Sequence, residues 1–170
     1  GLLLEGKRLG LIGFGRIGQR VATLAAALGI IVRYYDPFAE VSGKDQRQTH
    51  SLRELLSQSD IVSIHVPLSS ETRALMGAEQ FKAMNKGAYL IQCSRGGVID
   101  EEGLYEALDS GHLAGAALDV FETEPYSGPL KNLDNVILLP HIGSYAQETR
   151  MRMEMEAVNN LIHQWHLLRS

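Results

Sequence analysis

A doubly wound parallel α/β sheet is the fold this sequence predicts, and three observations predict it. Six short runs rich in β-branched and aliphatic residues alternate with helical patterns along most of the chain, which is the rhythm of βαβ units rather than of hairpins. The first run leads directly into Gly13-Phe14-Gly15-Arg16-Ile17-Gly18, a GxGxxG turn of the kind that joins a strand to a helix and receives a dinucleotide. The second run ends at Asp36, the acidic residue that such a unit places beyond its second strand. Together they specify a Rossmann-type sheet in a single domain, and 170 residues at 45% hydrophobic suffice to bury one sizeable core.

Taken in order, the predicted strands are Arg8 to Ile12, Ile30 to Tyr35, Ile61 to Val66, Ala88 to Gln92, Ala114 to Leu118 and Val136 to Leu139. Between the first two, Arg16 to Leu28 reads as a helix with Ile17, Val21, Leu24, Ala25 and Leu28 along one apolar face. Ser51 with Glu54, and Ser144 with Gln147, have capping-box spacing, and Asp100 precedes Glu101 and Glu102 as an N-cap followed by first-turn acids. Gly111 is placed to end the helix that Asp100 begins. Phe121 to Leu133, with Pro125, Gly128 and Pro129, is the longest irregular stretch and should cross the top of the sheet. From about Tyr145 the chain reads as helix to near its end, where the Met-rich run Met151 to Met155 suits packing or a subunit interface.

Composition narrows the function. A net charge of −4 with scattered Lys and Arg offers no surface for nucleic acid or an anionic membrane. The apolar runs are far shorter than the roughly 20 residues of a bilayer span, and the N-terminus does not read as a signal peptide. Cys93 is the only cysteine, so there is no intrachain disulfide and no thiolate metal cluster, in keeping with a cytoplasmic protein.

The glycine turn has a specific physical reading. Gly13 permits the tight turn, Gly15 lets the backbone approach a pyrophosphate, and Gly18 lets the helix sit close to the strand. Asp36 is suited to accept hydrogen bonds from ribose hydroxyls and to repel a 2′-phosphate, so the expected cofactor is NAD rather than NADP. Ligands of open parallel sheets bind beyond the carboxyl ends of the strands. His65 and Pro67, Cys93 to Gly97, Asp119, Glu124 and His141 all stand in such places.

GFGRIG, HVPLSSET, CSRGGVID, GAALDVFETEP and LLPHIGS, in this order, resemble the D-isomer specific 2-hydroxyacid dehydrogenase family, and in particular its NAD-binding domain. The stretch HIGSYAQETR and the helix after it resemble the phosphoglycerate dehydrogenase branch slightly more. The resemblance implies that Arg95, Glu124 and His141 are the catalytic set. An imidazole can take and return a proton near neutral pH, a carboxylate beside it fixes its tautomer, and a guanidinium fork holds a substrate carboxylate as a lysine cannot. Singly each has an ordinary surface or turn role; jointly, at strand ends, the functional reading is favoured. By the same resemblance, cofactor contacts beyond Gly13, Gly15, Gly18 and Asp36 fall at Arg16, Ile17, Pro67, Thr72, Cys93, Ser94, Arg95, Asp119, His141, Gly143 and Ser144. Asp119 has a turn cap as its alternative role. His65 reads as a structural residue near the cofactor, and His50, His112, His163 and His166 as surface residues. No metal site is expected.

The expected activity is hydride transfer between NAD and a D-2-hydroxy acid or its 2-keto acid, with 3-phosphoglycerate the first substrate to try. A non-enzymatic, NAD-sensing corepressor of the same fold is the alternative, and a formate dehydrogenase relative fits poorly at Glu124. Gln92 departs from the Asn that the family often has there. Family members insert this domain into a substrate domain, so the chain reads as the nucleotide-binding domain excised from a longer two-domain protein, slow or inactive alone. A homodimer through apolar faces that include the terminal helix is also expected.

Overall fold

The computed structural model describes residues 2–39 and 48–168. The elements along them are β1 (Arg8–Ile12), α1 (Arg16–Ala27), β2 (Ile31–Tyr35), α2 (Leu52–Gln58), β3 (Ile61–Ile64), α3 (Ala78–Ala83), β4 (Tyr89–Gln92), α4 (Glu101–Asp109), β5 (Gly115–Leu118), β6 (Val136–Leu138) and α5 (Gln147–Leu167). The chain divides into two compact units, one ending at Pro140 and one beginning at His141.

In the first unit the strands form one sheet in the order β2-β1-β3-β4-β5-β6, and every neighbouring pair is parallel. The order reverses at β1: the chain steps outward to β2, then returns to lay β3 on the other side of β1. A crevice therefore opens beyond the carboxyl ends of β1 and β3, where ligands of such sheets bind. The strand boundaries lie within one or two residues of the predicted ones, the ordinary uncertainty of an element's end.

The sheet buries a different cluster on each face. Leu9, Leu11, Val32 and Tyr34 pack with Ala22 and Ala25 of α1. On the opposite face Ile12, Val62, Ile64 and Leu90 pack with Leu55 and Leu56 of α2, Phe81 of α3, and Leu104 and Leu108 of α4. The alternation along β1 is what sends Leu11 to one side and Ile12 to the other. Gly10 allows the second packing, since a Cβ there would overlap the Ser59 hydroxyl.

The predicted apolar face of α1 holds at Ala25, which is buried, and at Val21, which packs against the same cluster, and is corrected at the other three positions. The residues that α1 buries are Gly18, Ala22 and Ala25, whereas Ile17, Leu24 and Leu28 are more than half exposed. The stripe at positions 18, 22 and 25 is built of small residues, which lets the helix axis come close to the strands; the bulky aliphatics occupy the neighbouring stripe and point away.

Caps follow the sequence in two cases out of three. The Ser51 Oγ accepts from the Glu54 amide at 3.1 Å, while a Glu54 carboxylate oxygen accepts from the His50 amide at 2.9 Å. The Asp100 carboxylate accepts from the Glu102 amide at 3.2 Å, and Gly111, at φ 69°, follows the end of α4. The third case fails: α5 is preceded by Ala146 as its N-cap, with no side-chain hydrogen bond. Ser144 sits two residues too early to reach the first-turn amides, so the Ser144/Gln147 box does not form. The long loop after Phe121 also contains one 3-10 turn, Pro129–Asn132, that the pattern of Pro and Gly did not reveal.

In the second unit, a turn closed by the Tyr145 amide on the Ile142 carbonyl at 3.0 Å leads into α5. Met151, Met155, Val158, Ile162 and Trp165 recur along that helix at alternating spacings of four and three, and all are exposed. No helix among the described residues is long and apolar enough to cross a membrane.

Candidate functional site

The glycine turn after β1 is built as its residues require. Gly13 stands at φ 92°, where an L side chain is strained, and a Cβ there would come within 2.9 Å of the His65 carbonyl group. A Cβ on Gly18 would overlap the Gly13 carbonyl oxygen, so this glycine is what allows α1 to start against the turn. Gly15 differs from both: its φ is −71°, and a Cβ would meet nothing within 4 Å. The space above Gly15 is open, and the amides of Arg16 and Ile17 begin α1 with no side-chain cap and no acidic residue in the first turn. Unpaired amides at the positive end of a 12-residue helix are a site for a phosphate.

Asp36 closes the other side. One carboxylate oxygen accepts from the Phe14 amide at 2.7 Å and the other from the Phe38 amide at 2.9 Å. Phe14 in turn stacks on Tyr34, ring centroids 3.7 Å apart. The residue predicted to receive the ribose thus also pins the glycine turn to the end of β2. An Asp36→Ala variant is expected to weaken NADH binding by about 10-fold or more, the worth of one or two hydrogen bonds to a charged group, and to narrow its preference over NADPH. Titration with both cofactors checks it; unchanged discrimination removes Asp36 from the ribose role.

Beyond β3, the His65 amide donates to the Ile12 carbonyl at 2.7 Å, and its ring Nε2 lies 2.9 Å from the Ser63 hydroxyl. Burial pushes the His65 imidazole below its ordinary value. As pH falls, the unfolded chain therefore takes up this proton first. Stability should be lost as pH drops below about 6.5 toward the folded value, and His65→Gln should flatten that part of a melting-temperature profile. Thr72 donates its hydroxyl to the Pro67 carbonyl at 2.6 Å and accepts from the Ser69 amide at 2.8 Å. It closes the loop over which a cofactor would lie.

After β4 and β5 the predicted catalytic residues of the first unit converge. Arg95 and Glu124 line one cavity of about 480 Å³, together with Leu68, Arg73, Gly96, Gly97, Phe121 and Glu122. The Glu124 carboxylate accepts from the Phe121 amide at 3.1 Å, and the Arg95 guanidinium donates to the Ser94 carbonyl at 2.6 Å. Asp119 is buried at the end of β5, its amide on the Gln92 carbonyl at 2.9 Å. Cys93 is accessible, but partial desolvation of its thiol, with the nearby Asp119 charge, pushes it up and so favours the thiol over the thiolate. His141, Gly143 and Ser144 open the second unit. His141 is one of two non-glycine residues described at positive φ, 57°.

Residues 1–143 match the family model for the D-isomer specific 2-hydroxyacid dehydrogenase, NAD binding domain. The chain belongs to this family. It is 44% identical over 164 residues to D-3-phosphoglycerate dehydrogenase of Escherichia coli K12, covering 93% of this chain and 40% of that protein. To the glyoxylate reductase of Aeropyrum pernix it is 45% identical over 166 residues, covering 95% of this chain and 50% of the relative. Among solved structures, a glyoxylate reductase from Paecilomyes thermophila superposes with a TM-score of 0.88 at 38% identity, covering 95% of this chain and 50% of that one. The chain thus spans half or less of the length of the curated relatives it matches.

As a dehydrogenase-family NAD-binding domain, the chain uses Gln92 in a way its sequence did not announce. Buried at the end of β4, Gln92 donates its amide to the Arg95 carbonyl at 2.9 Å and accepts from the Ser94 hydroxyl at 2.9 Å. Its side chain is the strut of the turn that presents Arg95, and the departure from Asn leaves that turn formed. Gly96, within the strand-end run Cys93 to Gly97, has a packing role that its place after β4 does not reveal. A Cβ there would overlap the Phe121 carbonyl, so the Arg95 and Glu124 loops touch backbone to backbone, and the signal was the second residue of Arg-Gly-Gly. Among the described residues no group of acidic, His and Cys side chains is arranged to hold a metal ion.

Proposed function

We propose that this chain is the cofactor-binding half of an NAD-dependent dehydrogenase that interconverts a D-2-hydroxy acid and its 2-keto acid, with 3-phosphoglycerate the first substrate to test. The observation that carries it is the convergence of Arg95 and Glu124 on one cavity beyond β4 and β5, on the same end of the sheet as the glycine turn. NAD fits the residues present: the open space at Gly15, the uncapped start of α1 and the Asp36 carboxylate suit pyrophosphate and ribose. The cofactor, when bound, supplies the hydride acceptor or donor.

The remaining steps belong to the protein. Arg95 holds the substrate carboxylate through two parallel N–H donors and draws electron density from the neighbouring carbonyl. In the oxidative direction an imidazole nitrogen of His141 takes the proton from the C2 hydroxyl as the C2 hydride leaves; in reverse it returns that proton to the forming alkoxide. Glu124 is the carboxylate assigned to fix the imidazole's tautomer and to stabilise its protonated form. Pro67, Thr72, Cys93, Ser94, Asp119, Gly143 and Ser144 complete the cofactor contacts. The corepressor alternative gains no support from relatives that are named as enzymes.

The substrate-closing half of the site is proposed to come from sequence beyond this chain, in keeping with the 40% and 50% of the relatives that it spans. The isolated chain should then bind NADH yet turn over far more slowly than the full-length protein, because orientation and water exclusion are missing. Reduction of a panel of 2-keto acids, 3-phosphohydroxypyruvate among them, by the full-length protein with NADH tests the reading. Absence of turnover across the panel contradicts it. The exposed stripe from Met151 to Trp165 on α5 supports a homodimer, which light scattering of the full-length protein reads directly.

A further inference from the structure

We propose that Arg73 and Glu122 form a latch that holds Glu124 in working position, which makes Arg73 a positioning residue of the reaction. This rests on the assignment of Arg95, Glu124 and His141 given above. The Arg73 guanidinium donates to the Glu122 carboxylate at 3.1 Å, and this contact ties the loop after β3 to the loop after β5. Both side chains are mostly exposed, 59% and 63%, so the pair is screened by water and adds little to stability. What it does is fix geometry at the rim of the cavity that Arg95 and Glu124 line.

Independent features hold the same three loops together. Ala74, next to Arg73, stands at φ 50°, a conformation that costs energy outside glycine and points to a constrained site. Its amide donates to the Gly97 carbonyl at 2.9 Å, which anchors the Arg73 loop on the turn that follows Arg95. Gly96 brings that turn against Phe121 with no room for a Cβ. The Glu122 amide donates to the Glu101 carboxylate at 2.8 Å, and the Phe121 amide to Glu124 itself. The loop 121–124 is therefore tied to Glu101 through the Glu122 amide and to Arg73 through the Glu122 carboxylate, with Glu124 at its end.

The charge balance supplies a second reason. Two guanidiniums and two carboxylates line the cavity: Arg73, Arg95, Glu122 and Glu124. Pairing Arg73 with Glu122 occupies the carboxylate that would otherwise compete with a substrate carboxylate for Arg95. Loss of either partner loosens Glu124, and loss of Arg73 also leaves the Glu122 negative charge unpaired beside the substrate's own.

Steady-state kinetics of the full-length protein test this with Arg73→Ala, Glu122→Gln, the charge-swapped double variant Arg73→Glu with Glu122→Arg, and Glu124→Gln as reference. Each single latch variant should lower kcat about 2- to 5-fold, the bound set by the small coupling of an exposed ion pair. KM for NADH and the melting temperature should stay at wild-type values, and the swapped pair should recover most of the loss. Wild-type kcat in both single variants overturns the latch, as does an effect confined to KM for the keto acid, which makes Arg73 a substrate contact instead. If Glu124→Gln itself leaves kcat unchanged, the underlying catalytic assignment fails along with the latch.

Discussion

Replacing His141 by alanine in the full-length protein is expected to lower the rate of the chemical step about 10²- to 10⁴-fold, the usual contribution of a general acid and base. Cofactor affinity should be largely kept, because the role proposed for this side chain is proton transfer and the phosphate and ribose contacts are proposed to lie on α1 and at Asp36. The backbone supports a dedicated role for this position: His141 follows Pro140 at φ 57°, a left-handed conformation that side chains rarely adopt without a local reason. Single-turnover consumption of NADH with a saturating keto acid separates the chemical step from binding. A rate equal to the wild type removes His141 from proton transfer. A parallel loss of NADH affinity would show that the variant disturbs the cofactor cradle instead.

The second large effect is expected at Gly15. Because its φ is −71° and a Cβ would meet nothing within 4 Å, Gly15→Val should fold and melt like the wild type. The same side chain fills the space through which a pyrophosphate reaches the amides of Arg16 and Ile17. Losing two charge-assisted hydrogen bonds at about 1.5 to 3 kcal/mol each predicts a fall in NADH affinity of about 10²-fold or more. Gly18→Ala supplies the contrast, since its Cβ would overlap the Gly13 carbonyl: there the melting temperature itself should fall. Two glycines of one motif thus serve different masters, one the ligand and one the fold, and a pair of melting and titration curves distinguishes them. Undiminished NADH binding by Gly15→Val contradicts the proposed path of the phosphates.

Much of this architecture was legible because the determinants are local. Strand runs such as Ile61 to Val66, the Asp100 cap and Gly111 each carry their own conformational preference, and the GxGxxG turn states its geometry in six residues. The misreadings have equally physical causes. On α1, hydropathy alone favoured Ile17, Leu24 and Leu28 for the core, whereas close packing on the sheet selected the small residues Gly18 and Ala22 beside the expected Ala25. At α5 the Ser-x-x-Gln spacing was present but out of register with the helix start.

In the site, the residues proposed to meet the chemistry stand out by type and by position after a strand, and the structure brings Arg95 and Glu124 to one cavity. The residues that support them do not. Gln92 acts through its amide on the next turn, and Arg73 meets Glu122 across 49 positions of sequence. Such contacts depend on which loops the sheet order places side by side, and no short-range pattern encodes that.

The central claim is that a dinucleotide lies over the Gly13 to Gly18 turn. Titrating the isotopically labelled chain with NADH while following its backbone amide resonances tests this most directly. Saturable shifts are expected, largest at Gly15, Arg16 and Ile17, with Phe14 and Phe38 responding through Asp36. No shifts at millimolar NADH, or shifts that leave these amides unmoved, would contradict it.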